Sequence, residues 1–325
     1  MNAPEQPAAP RKIVIESLLS PGDAVVLTAA VESLHLQYPG RFLTDVRTAA
    51  REIWLHNPRI TPLASGSAGV EHVQVGYESI HRSNQEPLSF LAGYGENLGE
   101  KLGLPLRCLV NRPQLYLSDE EREWIDQVRE HVSHGRPVPF WLVNAGCKSD
   151  YTAKQWPVEF YQRAIDLLAG RVQFVQVGAE EPGHKHERLA GVIDLVGQTD
   201  HRQLIRLAWH AQGGLGPVTY LQHLLAAWQK PYVCLLGGRE PASWVQYPFQ
   251  TTLHTLGSLP CCKNGACWKS RVVPLGDGDD KDALDKLCDR PVLGMRKPVA
   301  KCMATIRPEE VVVAVERILA GVATG

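Results

Sequence analysis

The chain has 325 residues, 44% of them apolar and 21% charged, with a formal net charge of −1. That length suits two domains, and a near-neutral balance without any run of five basic residues excludes an electrostatic footprint for nucleic acid. No window of about 18 apolar residues exists, so no transmembrane helix is expected.

Met1–Pro10 (MNAPEQPAAP) lacks the basic and apolar regions of a secretory signal and reads as a disordered Pro/Ala-rich tail. The expected location is the cytoplasm, with peripheral contact to the inner membrane left open. Lys12 to Glu16 has the character of a short buried strand, and Ser17 to Gly22 (SLLSPG) that of a loop. Asp23 then opens a helix that runs to about Tyr38 and stops at Pro39-Gly40. A second strand is predicted over Phe42–Val46, a helix over Ala49–Leu55 and a third strand over Val70–Tyr77. Pro87–Leu102 puts Leu88, Leu91, Tyr94, Leu98 and Leu102 at helical spacing. Ser118-Asp-Glu-Glu121 carries a capping signature and starts a helix to about Val132.

His134 to Pro139, rich in Gly and Pro, marks a boundary between domains over 11–135 and 136–325. The alternation then restarts. Strands are predicted over Phe140–Asn144, Val172–Gly178, Val192–Leu195 and Tyr232–Leu236. Helices are predicted over Pro157–Ala169, Glu187–Ala190, His201–Ala211, Leu221–Trp228 and Pro308–Leu319. No repeat of solenoid period occurs. The expected class is α/β, with two doubly wound, Rossmann-like domains facing a cleft.

The informative loops follow strand ends, where open α/β sheets bind ligands. Asp23, on the turn after the first strand, suits a general base toward a hydroxyl, and its simpler reading is a helix cap. In Asn144–Pro157, Gly146 permits close backbone approach, while Ser149, Thr152 and Lys154 are donors for phosphate oxygens ahead of a helix start. Glu180 and Glu181 follow a strand, where a carboxylate takes ribose hydroxyls. The alternative is a solvated acidic turn. Gly213–Trp228 reads as a glycine-rich loop entering a helix, suited to a diphosphate, with His223 facing the ligand or simply packed.

There are eight cysteines, of which Cys261, Cys262, Cys267, Cys288 and Cys302 fall within a 42-residue stretch. In a reducing compartment such clustering argues for metal before disulfide.

In order and spacing these pieces resemble glycosyltransferase family nine, the ADP-heptose:lipopolysaccharide heptosyltransferases. The shared features are Pro21-Gly22-Asp23 and Pro39-Gly40, Ala145-Gly146, Lys154-Gln-Trp-Pro157, Val192-Ile-Asp-Leu-Val-Gly-Gln-Thr199, His223, Lys230-Pro231, and Gly237 to Pro241. The resemblance implies a GT-B fold with an acceptor-side N-terminal domain and a nucleotide-sugar-binding C-terminal domain. It also implies inverting transfer to a saccharide or protein hydroxyl, and no catalytic metal. Asp23 would then deprotonate the acceptor, and Lys154 with Ser149 or Thr152 would neutralise the leaving diphosphate. Glu180 or Glu181 would hold the ribose, and Thr219 and His223 would line the diphosphate and sugar.

One departure stands out. Val218-Thr-Tyr-Leu-Gln-His223 replaces the family's Asp-[Ser/Thr]-Gly-x-x-His, which leaves the donor sugar open and admits a catalytically degenerate protein that only binds a nucleotide sugar or a partner. The cysteine-rich stretch, 256–305, is similar to the four-cysteine iron-binding insert of autotransporter heptosyltransferases. Cys262, Cys267, Cys288 and Cys302, with Cys261 as an alternate for Cys262, would hold a structural iron or zinc ion with no open position. A homo-oligomer is left open.

Overall fold

The structure, a computed structural model, describes residues 9–64, 66, 68–294 and 296–321. Residues 1–8 of the expected tail lie outside them.

The first domain is built on β1 (Arg11–Ser17), α1 (Pro21–Gln37), β2 (Phe42–Thr48), β3 (Val70–Gln74) and α2 (Phe90–Leu102). The strands form a parallel sheet in the order β2-β1-β3, with Ile13 opposite Thr44 on one side and Glu71 on the other. As the central strand, β1 buries Ile13, Val14 and Ile15 in succession, the run expected of a strand covered on both faces. Every residue of α1 from Ala24 to Leu34 is buried. A helix apolar all round needs cover on all sides, and α1 finds it between α2 and a helix of the second domain.

The second domain contains β4 (Phe140–Val143), α3 (Val158–Leu167), β5 (Gln173–Gln176), β6 (Ile193–Asp194), α4 (His201–His210), β7 (Gly213–Pro217), α5 (Tyr220–Ala227), β8 (Tyr232–Gly237) and β9 (Thr251–His254). These strands make one parallel sheet, ordered β9-β8-β7-β4-β5-β6. The chain starts at β4, builds outward through β5 and β6, then crosses back to build β7, β8 and β9 on the other side. The topological switch point therefore lies between β4 and β7, and the loops leaving these two strands flank the crevice there.

A segment after β9 carries the clustered cysteines and an antiparallel hairpin, β10 (Pro291–Leu293) with β11 (Pro298–Ala300). Arg271, whose side chain is almost wholly buried, organises it. The guanidinium pairs with Asp277 at 2.8 Å, Asp282 at 2.6 Å and Asp150 of the β4 loop at 3.6 Å. Helix α6 (Pro308–Leu319) closes the described chain and packs on α3. No helix among the described residues is long and apolar enough to cross a membrane.

Several sequence expectations change. The helix predicted over Ser118–Val132 is two single turns, Asp119–Glu123 and Gln127–His131, because Asp126 caps a second start and Trp124 is extended. Ala49–Leu55 is reduced to a short 3-10 turn, Arg51–Trp54. Glu187–Ala190 is not helical. The chain just before it forms strand pairs instead, His184 and Lys185 lying antiparallel to Lys148 and Cys147. Gly213–Pro217, expected as a ligand-binding loop, is the buried strand β7. Its glycines make room for neighbours: a Cβ on Gly213 would stand 2.8 Å from the Trp141 ring, and one on Gly214 2.5 Å from Leu225.

Candidate active site

The turn after β1 presents Asp23 in the first turn of α1. It is the third residue of the helix and forms a capping box with Ser20, so the simpler capping role is present as well. Its carboxylate accepts hydrogen bonds from the Ser20 backbone N–H at 2.9 Å and the Ser20 hydroxyl at 2.7 Å. Burial raises the Asp23 carboxyl above its ordinary range, while the Ser20 bonds and the Lys154 charge pull it partly back. A carboxylate held this way is a stronger proton acceptor than a free one.

Lys154 ends the loop that leaves β4. Its ammonium pairs with Glu240 at 2.8 Å, and Glu240 is also paired with Arg239 beside it. Burial lowers the Lys154 pKa, against the opposing pull of Glu240 and Asp23. Burial alone would raise the Glu240 carboxyl, yet Lys154 and Arg239 together bring it below its ordinary range, so Glu240 stays ionised. Asp23 and Lys154, from opposite domains, lie close enough for each to bias the other's ionisation.

His223 and Thr219 enter from the far side of the switch point, at the start of α5. A Cβ on Gly22 would lie 3.5 Å from the His223 ring and from Tyr220, so the N-termini of α1 and α5 meet here. His223 is fully packed. Its Nδ1 is 2.8 Å from the Tyr247 hydroxyl and its ring lies edge-on to Phe90. Burial first, and Lys154 second, lower its pKa to about 3, so the imidazole is neutral. The Thr219 hydroxyl is buried at the start of α5, next to the buried Tyr232.

The other expected donor contacts have protein partners of their own. The Thr152 hydroxyl accepts the Val272 N–H at 2.9 Å and so faces the cysteine-rich segment, while the Ser149 N–H donates to the Gly183 carbonyl. Glu180 and Glu181 rim a cavity of about 380 Å3 with His184, His186 and Arg188, at the ends of β5 and β6. They pair with Arg188 at 3.1 Å and His184 at 3.3 Å respectively. Gly146 does admit a close neighbour, but that neighbour is the His186 imidazole: a Cβ on Gly146 would fall 2.0 Å from it, and one on Gly178 2.1 Å. Burial lowers the His186 pKa to about 4, and its Nδ1 has no partner.

Sequence reasoning missed Glu240, Arg239, Tyr247 and His186 as site residues. The first two lie in the stretch Gly237–Pro241, where the signal was a charged pair directly after a strand end.

The five clustered cysteines line one small cavity of about 10 Å3 together with Ala153, Gly238 and Arg239. This is room for a single atom. Gly238 is required there, since a Cβ would lie 2.9 Å from the Cys262 sulfur. All eight cysteines are free thiols, and among the described residues no group of three or more His, Cys, Asp or Glu side chains is arranged to hold a metal ion. The donor set and the space therefore suit one thiophilic ion, whereas the side-chain arrangement is not a ligating one.

A buried neutral His makes stability pH-dependent. The folded pKa of His223 lies below the unfolded value near 6.5, so its contribution is complete above that value and is lost as pH falls toward 3. Between pH 7 and 4 the loss from this residue amounts to roughly 3 kcal/mol. Urea unfolding of wild type and His223→Gln at both pH values checks it. The variant is expected to lose about that much less on acidification.

No protein-family model matches the chain, and no curated protein matches it. Solved structures do. The glycosyl transferase family 9 protein of Veillonella parvula has a TM-score of 0.63 at 17% identity, covering 96% of this chain and 97% of that one. E. coli ADP-heptose lps heptosyltransferase II has a TM-score of 0.60 at 14% identity, covering 95% and 99%. The iron-containing dodecameric glycosyltransferase TibC of enterotoxigenic E. coli has a TM-score of 0.62 at 16% identity, covering 97% and 77%. TibC is also solved in complex with ADP-D-beta-D-heptose. Over nearly its whole length this chain has the fold of these glycosyltransferases, the two-domain GT-B arrangement.

Proposed function

We propose that the protein is an inverting glycosyltransferase that moves a sugar, a heptose from ADP-heptose, to a saccharide or protein hydroxyl. The observation that carries this reading is the convergence of Asp23 and Lys154 from two domains at the sheet's switch point. Inversion needs a base on one face of the sugar and a stabilised leaving group on the other. Asp23 takes the acceptor proton, and Lys154, with the Thr219 hydroxyl, meets the departing diphosphate. Glu180 and Glu181 bind the nucleoside end at the cavity they rim. His223, neutral and packed, shapes the sugar's surroundings and transfers no proton. The donor assignment follows the likeness to the heptosyltransferase and TibC structures. Calorimetric titration with ADP-heptose, UDP-glucose and GDP-mannose tests it. ADP-heptose is expected to bind at least tenfold more tightly, and preference for another donor would overturn the assignment.

The cysteine cavity is proposed to hold one structural iron or zinc ion through Cys267, Cys288, Cys302 and either Cys262 or Cys261. Cys262, buried and against Gly238, suits the fourth position better. Bound there, the ion supplies cross-links that fold a segment poor in apolar residues. TibC is iron-containing, which supports the reading, and it is dodecameric, which supports a homo-oligomer here. Elemental analysis of protein purified without metal-affinity resin is expected to find one equivalent of iron or zinc, lost in a Cys267→Ser, Cys288→Ser double variant. Metal-free wild-type protein would remove the site from the account.

A further inference from the structure

Arg239 bridges the cysteine-rich segment and the Lys154–Glu240 pair. Arg239 leaves the end of β8 almost fully buried. Its Nε donates to the Lys269 carbonyl at 2.6 Å, and its Nη1 donates to the Glu240 carboxylate. The Arg239 carbonyl accepts the Trp268 N–H at 3.0 Å. The guanidinium lies 5.7 Å from the Trp268 ring centroid and 5.3 Å from that of Tyr151, and the Tyr151 centroid is also 5.6 Å from the Lys154 ammonium. The same segment grips the Lys154 loop directly, through Ala153 N–H to the Ser270 carbonyl and Arg271 to Asp150.

We propose that Arg239 is a positioning residue: it ties the cysteine-rich segment to Glu240 and so holds Lys154 at the donor's diphosphate. The inference rests on the glycosyltransferase reading and adds to it a role for a residue that need not touch substrate. A planar fork holds a backbone carbonyl and a carboxylate in a fixed relative position, while a Lys ammonium on its flexible stem keeps the charge without that rigid geometry. Glu240, with one oxygen shared by both cations, transmits the fork's placement to the ammonium. Misplacement of a catalytic cation by even an ångström costs up to about a hundredfold in rate.

The test compares wild type with Arg239→Gln, Arg239→Lys, Trp268→Ala and the Arg239→Gln, Trp268→Ala double variant. The readouts are kcat, donor KM and thermal unfolding. The expected result is a fall in kcat of at least tenfold in Arg239→Gln with KM changed less than threefold. Partial recovery is expected in Arg239→Lys. The Trp268→Ala and Arg239→Gln losses are expected not to multiply, because both act through one link. A folded Arg239→Gln protein with wild-type kcat would overturn the inference alone, as would multiplying losses. Wild-type protein without turnover would overturn the proposed function, and the inference with it.

Discussion

Asp23→Asn is expected to abolish turnover, lowering kcat by on the order of a thousandfold, while leaving donor affinity unchanged. General-base assistance contributes about 10²–10⁴ in rate, and an amide cannot take the proton. The substitution preserves shape, and the Asn oxygen can still accept the Ser20 N–H that the carboxylate accepts now. Loss of stability should therefore stay within about 1 kcal/mol, the ordinary worth of such a helix-start bond. The pH profile gives a second check. Burial sets the Asp23 carboxyl above its ordinary range, so the acid limb of wild-type kcat should lie above the usual carboxylate pKa and be missing from the residual rate of the variant. Pre-steady-state turnover and calorimetry on the same preparation separate loss of chemistry from loss of binding.

The second large effect is at Lys154. Lys154→Met is expected to cut turnover by about 10²–10³, the usual cost of removing one stabiliser of developing negative charge. It should also destabilise the fold, because it strips one of two cations from Glu240, which is only 4% exposed. Breaking a buried pair costs about 3–5 kcal/mol when nothing else serves the orphan. Here Arg239 remains, so a loss near 2 kcal/mol is expected. The Lys154→Met, Glu240→Gln double variant should regain none of the activity and little of the stability, because the second change takes from the buried Arg239 the carboxylate it pairs with. If the double variant regained activity, Lys154 would be a partner to Glu240 and nothing more.

Much of this arrangement was legible in the sequence. Apolar runs fixed β1, β4, β5 and β8, and Gly-Asp after β1 with Lys-x-Trp-Pro after β4 placed both charged residues at strand ends. What escaped has physical reasons. Strand β7, Gly-Gly-Leu-Gly-Pro, has almost no β propensity of its own. It is a strand because Trp141, Leu225 and Tyr232 need the space that its missing side chains leave. Glu187–Ala190 carries helix-forming residues, yet the segment before it pairs across the β4 loop and carries His186 onto Gly146, a long-range choice that local pattern does not encode. Ser118–Val132 reads as one helix only if the second capping residue, Asp126, is overlooked. Glu240 was visible as a charged residue after β8, but that its partner is Lys154, 86 residues earlier, follows only from the folded sheet. The Thr152 hydroxyl accepts the Val272 N–H, a contact with the cysteine-rich segment that local pattern does not reveal.

The central claim is that this chain transfers a sugar from ADP-heptose using Asp23. The most direct test is to incubate wild type and Asp23→Asn with ADP-heptose and an extract of saccharide and protein acceptors, and to measure ADP release together with the acceptor's gain in mass. The account predicts ADP formed in step with heptose-bearing product by wild type, and neither from the variant. Binding of ADP-heptose by both proteins without product from either would contradict it, and would identify a nucleotide-sugar-binding protein without transfer activity.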